Sequence, residues 1–337
     1  MVGAAGPPAA ARPLALLVYT ARRLGAAALT ILVVVSLTFL LAHLAPGEPM
    51  LAEAERMHAD PARVARVRAE FGLDRPLPAQ YAMYVGNVLR GNLGESFVQR
   101  RGVAALIGER LPHTILLAGA ALLLGFGLGI SLALVQALHA GSRRDALLGA
   151  LALAFASTPT FWLGLVLLWI FGQLLGWLPL SGMTTPVLHA QMGMMGRAMD
   201  VLRHLVLPAL TLALVQTAAI ARFQRGALVD TLRAEFVRAA RARGLAGRAV
   251  LLRHALRSAL APVVTLAGFT VPALLAGSVL VETVFGWPGL GRLTQEAIAS
   301  RDYNLIQGCG VLAGTLVALG SLAADLGARA LDPRLPR

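Results

Sequence analysis

The sequence predicts an all-α polytopic membrane protein with six transmembrane helices and both ends on the cytoplasmic side. Three observations carry this. Of 337 residues, 57% are apolar and only 14% charged, against roughly 45–50% and about 25% in a soluble domain, which excludes a soluble globule. Six windows approach the roughly 20 apolar residues that cross about 30 Å of hydrocarbon. The arginines between those windows sort to one side of the membrane.

The windows are residues 24–44, 114–138, 147–178, 204–221, 258–281 and 305–326. The first is 21 residues long, beyond the 7–15 of a signal-peptide core, and no small-x-small cleavage site follows it. It is expected to stay as a span. The third window, 32 residues, would be about 48 Å of straight helix, too long for one upright pass. It is either two short passes or one tilted helix broken near Pro159. Charge decides. With a single third span, the inside segments hold 17 arginines against five acids, counting Asp325 at the inner end of the sixth window, and the outside segments 13 against 12, as the positive-inside rule requires. Two passes would turn residues 222–257, with nine arginines, outward.

The expected organisation follows: a cytoplasmic tail over 1–23, the first span over 24–44, and an extracytoplasmic helical segment over 45–113. A five-helix core runs over 114–326 with a cytoplasmic loop at 222–257, and a short tail spans 327–337. Segment 45–113 is too long for a structureless loop. Asp60-Pro61 reads as a cap and first-turn proline, with a helix on Val64, Val67 and Phe71 ending at Gly72. A second amphipathic stretch, 80–90, stops at Gly91. It sets Tyr81 and Tyr84 on one face, for the bilayer interface or for docking.

Composition removes whole classes of chemistry. All 30 basic residues are arginine, and without lysine there is no P-loop and no Schiff base. One cysteine, Cys309, excludes an internal disulfide, a thiolate zinc cluster and an iron–sulfur site. It reads as a small packing residue. The seven histidines stand singly, without an H-E-x-x-H, and His43, His113 and His139 fall at span ends. No catalytic residue and no metal ligand is expected, so the chain is predicted not to be an enzyme. No acid or arginine sits mid-span, which leaves a secondary transporter without relay groups. Ser, Thr and Gln in the spans, Gln136, Thr211, Gln216 and Thr217 among them, are expected to hydrogen-bond between helices, with lining of the pathway as the alternative. Pro159, Pro208 and Pro272 are candidate kinks.

Residues 222–257 are the most informative stretch. The run from Ala234 to Arg243 favours helix, Gly244 supplies a left-handed stop, and a second helix runs over about 249–261. The result is a bracket with apolar residues on one side and arginines on the other. It could satisfy anionic lipid head groups or dock a cytoplasmic partner, and spacing alone leaves these even. Nucleic acid is remote, for nothing resembles a base-reading module.

Arg238-Ala239-Ala240-x-x-x-Gly244 resembles the EAA-x-x-x-G loop of ABC importer permeases. "FVRAARARGL" with "RHALRSALAPVV" is similar to the B-type membrane subunit of the dipeptide/oligopeptide importers, a family that also carries nickel and glutathione. "VLVETVFGWPGLGRL", "RDYNLIQG", Phe71-Gly72-Leu73-Asp74-Arg75-Pro76 with Gln80-Tyr81, and Gly91-Asn92-Leu93-Gly94 resemble it too, in the same order. Arg238 in place of the leading glutamate and His254-Ala255-Leu256-Arg257 in place of I-x-L-P look like the peptide-permease variant. Asn92 departs from a common aspartate.

The resemblance implies a type I importer permease in the bacterial inner membrane, forming half of a translocation pathway. Its implied partners are a C-type permease, two ATP-binding subunits and an extracytoplasmic solute-binding protein, with the lipid bilayer around it. No cofactor belongs to this chain; ATP and magnesium belong to the ATPases. ATPase-coupling contacts are expected at Arg238, Ala239, Ala240, Arg243, Gly244, Leu245 and Arg248. Glu282, Phe285 and Trp287 are expected at an outer gate or a binding-protein contact; the bland alternative is an acid beside an interfacial tryptophan. A secondary transporter would need inverted repeats, which are not found. A non-transporting scaffold would not need the bracket.

Overall fold

A computed structural model describes residues 11–44, 74–260, 263, 266, 267, 270 and 278–331. The helix expected on Val64, Val67 and Phe71, the extreme tails and most of the fifth window lie outside the described residues. Among the described residues there is no β-strand, only an isolated bridge between Glu95 and Gly102.

The helices are α1 (Ala11–Leu44), α2 (Leu77–Leu89), α3 (Val103–Leu138), α4 (Arg143–Ser157) and α5 (Thr160–Leu167), the last continuing as a π-helical turn, Leu168–Leu174. Then come α6 (Leu188–Gln191), α7 (Met194–Leu232), α8 (Glu235–Ala242) and α9 (Gly247–Ala249). A second π-helical turn, Val250–Ala255, joins α9 to α10 (Leu256–Ala259). After the fifth window follow α11 (Val279–Val284), α12 (Leu290–Ser300) and α13 (Tyr303–Leu331).

Among the described residues, four stretches are long and apolar enough to cross a membrane: Thr20–Leu41, Val103–Leu138, Met194–Leu232 and Tyr303–Ala323. α4 and the α5 segment qualify only together, and they are bent 104° apart. The break falls at Pro159, as expected. A residue before proline is driven to extended backbone, and Thr158 has ψ 131°. Pro159 then caps α5. Pro208, by contrast, sits buried inside an unbroken α7, and Pro272 lies outside the described residues.

α3 and α7 outrun their windows. At 36 and 39 residues they are about 54 and about 58 Å long, well beyond a hydrocarbon core of about 30 Å. The 204–221 and 114–138 windows are therefore only parts of these helices, and residues 222–232 of the expected loop continue α7. The two helices pack side by side where α3 offers glycine. A Cβ on Gly125 would lie 3.5 Å from the Ala213 carbonyl, and one on Gly129 would fall 2.6 Å from Ile220. Both contacts advance in the same direction, so α3 and α7 run parallel. α1 and α13 are antiparallel by the same reasoning. Thr38 meets Gly310 and Val34 meets Gly314, where a Cβ would come within 2.5 and 2.8 Å. Small residues bring helix backbones close where dispersion must hold them together in lipid.

α2 lies on α1. Phe39 stands 5.3 Å from the Tyr81 ring and 5.7 Å from that of Tyr84, and Tyr81 shares a 2.6 Å hydrogen bond with Ser36. The aromatic face therefore meets a helix of its own chain, instead of the interface or a partner. Of the polar span residues, Gln136 bonds between helices as expected, its amide donating to the Asp145 carbonyl of α4 at 3.2 Å, but the threonines do not. Thr211, Thr217, Thr270 and Thr315 each donate to the carbonyl four residues back on their own helix, a local option always open to threonine.

Candidate functional site

Two constructions stand out, a bracket after α7 and a buckle between α11 and α12. The bracket begins where α7 ends. α8 starts at Glu235, one residue later than the run that favoured it, and Gly244 takes φ +77°, the left-handed stop expected. A Cβ there would meet nothing within 4 Å, so the demand for glycine is one of backbone alone. Val237, Ala240, Val250 and Ala255 form a small core under Leu232, which holds α8 against the second arm.

This corrects one expected coupling contact. Ala240 is 2% exposed and serves inside the bracket, because helical period turns positions 237 and 240 to the same inner side. Arg238, Ala239, Arg243, Gly244, Leu245 and Arg248 are all exposed. Phe236, not among the expected contacts, is 46% exposed beside them. The outward face thus carries two large apolar side chains, Phe236 and Leu245, among arginines.

The buckle is built around Glu282, which is 0% exposed. The hydroxyls of Thr114 and Ser278 donate to its Oε1 at 2.9 and 2.6 Å, and the Arg292 amide donates to Oε2 at 3.0 Å. The carboxylate thereby caps the first turn of α12, where free amides and the helix dipole favour an anion. Thr114 in turn accepts from the Leu290 amide at 2.8 Å. Trp287, also fully buried, donates its indole N–H to the His113 carbonyl at 3.0 Å. His113 Nδ1 lies 2.9 Å from the Pro288 carbonyl, which can only accept, so that nitrogen carries the proton.

Its glycines follow from the crowding. A Cβ on Gly289 would sit 2.3 Å from the Glu282 carboxyl, and one on Gly291 2.6 Å from Val279. Phe285 reaches the other way, against Gly164 of α5, where a Cβ would lie 3.1 Å from its ring. Glu282, Phe285 and Trp287 are therefore interior groups joining α3, α5, α11 and α12. The direct contact with a binding protein expected of them is not offered, because all three are buried.

Two further anchors were not singled out in the sequence. Asp302, at the start of α13, accepts from Ser96 Oγ, the Val98 amide (3.2 Å) and the Leu305 amide (3.2 Å), tying the segment before α3 to the last helix. Asp200 accepts from the Thr185 amide (2.9 Å), the Thr185 hydroxyl (2.7 Å) and His189 Nδ1 (2.7 Å), pinning the loop before α7. Asp302 had a signal, the "RDYN" stretch; Asp200 had none. Among the described residues no cluster of His, Cys, Asp and Glu could hold a metal ion.

Paired long spans, a hinged surface bracket and a closed buckle define a class: an all-helical, multi-pass membrane subunit of a transporter. The chain belongs to the family described as the binding-protein-dependent transport system inner membrane component, whose main domain matches residues 125–337 and whose N-terminal domain matches residues 16–118. It is a protein of the bacterial inner membrane. It is 40% identical to the di/tripeptide transport system permease protein of Pseudomonas aeruginosa, over 95% of this chain and 99% of that one. It is 34% identical to the dipeptide transport system permease protein of Escherichia coli over 95% and 99%. The glutathione transport system permease protein of Pectobacterium atrosepticum is 38% identical over 91% and 94%.

Proposed function

We propose that this chain is the B-type permease of an ATP-driven importer of short peptides. It forms half of the translocation pathway beside a C-type permease and is served by two ATPase subunits and a solute-binding protein. It has no catalytic step of its own; ATP and magnesium act in the ATPases. Six spans with both termini cytoplasmic suit this role. The parallel course of α3 and α7 supports an odd number of crossings between them, hence one broken third span. The antiparallel pairing of α1 with α13 supports ends on one side.

The observation that carries the reading is the bracket. Its own core makes it a stiff piece, it presents Phe236, Leu245 and exposed arginines outward, and it continues into α7 with only Arg233 and Ala234 between the helices. Motion imposed on such a piece passes to the spans as rigid-body displacement. At the far end of α7 and α3 the buckle closes the outer side, and Glu282, Phe285 and Trp287 act there as a gate hinge. Peptide cargo is favoured by the relatives named for di/tripeptides and dipeptides.

A cysteine placed at Arg243 tests orientation and coupling together. It is expected to react with a membrane-impermeant maleimide only in inverted vesicles, and to be protected when the ATPases are bound. Labelling from the outer side would overturn the reading.

A further inference from the structure

A cleft of about 520 Å³ opens between the end of α3, the start of α4 and the last third of α7. Its body is lined by Gly149, Ala152, Ala218 and Ala221, and its rim by Arg222 and Arg225. Neither bracket nor buckle uses it. Its volume is that of an ordinary ligand site.

The charges at its rim are unequal. Asp145 is buried and fully engaged: it accepts from Arg225 Nε at 2.8 Å, from Arg225 Nη2 at 2.5 Å and from the Gly141 amide at 3.0 Å. Arg225 is thereby neutralised. Among the described residues Arg222 makes no ion pair, and exposed Arg143 and Arg144 stand on the first turn of α4 just beside Ser142 and Asp145. The helix start adds its own positive end. The occupant must therefore be apolar along its length and anionic at its head. A short peptide carries a cationic amino terminus as well as a carboxylate, and among the described residues the cleft has no free acid to meet it, because Asp145 is engaged by Arg225 and Gly141.

We infer that this cleft holds an anionic phospholipid of the inner leaflet, its acyl chain along Ala152, Ala218 and Ala221 and its phosphate at Arg222. Basic pockets between membrane helices on the cytoplasmic side take such head groups. The inference rests on the orientation proposed above, which the labelling of position 243 tests separately. Held there, the lipid wedges α4 against α7 close to the bracket, so membrane composition bears on the stiffness of the coupling end.

The test uses the full-length chain with its co-assembled subunits, reconstituted in discs of phosphatidylcholine alone and in matched discs with a minority of phosphatidylglycerol. Lipid that remains bound after re-extraction is counted by mass spectrometry. Phosphatidylglycerol is expected to be retained over phosphatidylcholine, and Arg222→Gln to lower that retention about fivefold, the worth of one cation beside an anionic head group. Ala218→Leu, which fills the cleft without changing charge, is expected to abolish retention of both lipids. Equal retention of the two lipids by the unaltered chain, or retention unmoved by either substitution, overturns the inference. So does a photocrosslinker at Ala218 that captures another subunit's helix, or displacement of the lipid by added dipeptide. Should Arg222→Gln fail to assemble, the lipid preference of the unaltered chain and the Ala218→Leu result decide.

Discussion

The hydroxyl of Thr114 donates to the carboxylate of Glu282 at 2.9 Å, joining side chains 168 positions apart in the buried centre of the buckle. No cation faces that carboxylate among the described contacts; Arg292 offers only its backbone amide, while its guanidinium reaches Glu296 and the Gly286 carbonyl. Hydroxyl and amide donors alone satisfy it. Removing it leaves three donors without an acceptor, the buried Thr114 and Ser278 hydroxyls and the half-buried Arg292 amide.

Glu282→Ala is therefore expected to destabilise strongly, since each orphaned donor costs about 1–3 kcal/mol. Glu282→Gln keeps one acceptor oxygen for Thr114 and Ser278 and fails only the Arg292 amide, so it is expected to cost about a third as much. Thermal unfolding of the detergent-solubilised protein gives the comparison. Equal losses for the two variants would show that the hydrogen bonds do not set the buckle's stability.

Gly289 is limited by the same carboxylate. An alanine methyl would start 2.3 Å from it, an overpacking expected to cost about 1–3 kcal/mol. Paired with Glu282→Ala the methyl has room, so the double variant is expected to lose clearly less than the sum of the single ones. A strictly additive double-variant cycle would place the strain elsewhere.

Much of this was legible in the sequence. Helix identity, the Pro159 break and the Gly244 stop come from local rules, of apolar length, of backbone before proline and of left-handed backbone, and the structure follows them. The 204–221 window fell short of α7 because apolar length marks the hydrocarbon and not the helix, which continues through Arg222 and Arg225 to Leu232. Ala240 was misread because a motif names positions but not which side of a helix packs inward. Glu282 was found as an acid beside aromatics, yet its burial depends on Thr114, a partner in another helix that no local pattern points to. Asp200 was missed for the same reason: its partners, Thr185 and His189, look like ordinary loop residues.

Asp145 and Arg225 join α4 to α7, the carboxylate buried and the guanidinium side chain 35% exposed. Arg225→Met strands the buried acid, and the loss is expected below the roughly 3–5 kcal/mol of a fully buried pair because water reaches one partner. Asp145→Asn with Arg225→Gln removes both charges and is expected to recover most of it. Thermal unfolding of the three forms is the check, and a double variant as unstable as Arg225→Met would remove the ion pair from the account.

Gly244 offers the sharpest separation of folding from coupling. Its φ of +77° is the only demand made on it, since nothing crowds the space a Cβ would fill. Asparagine tolerates left-handed backbone, alanine resists it by about 1–2 kcal/mol, and a β-branched residue resists it more. The strain falls on a surface turn, with the bracket core of Val237, Ala240, Val250 and Ala255 on either side of it in sequence. Transport should decline in the order Gly, Asn, Ala, Val, while membrane insertion and the stability of the spans stay near those of the unaltered chain. Peptide uptake in whole cells, measured beside protease protection of the inserted chain, reads the two effects apart. Uptake by Gly244→Val at the level of the unaltered chain would mean that the bend set by residue 244 is not what transmits movement to α7.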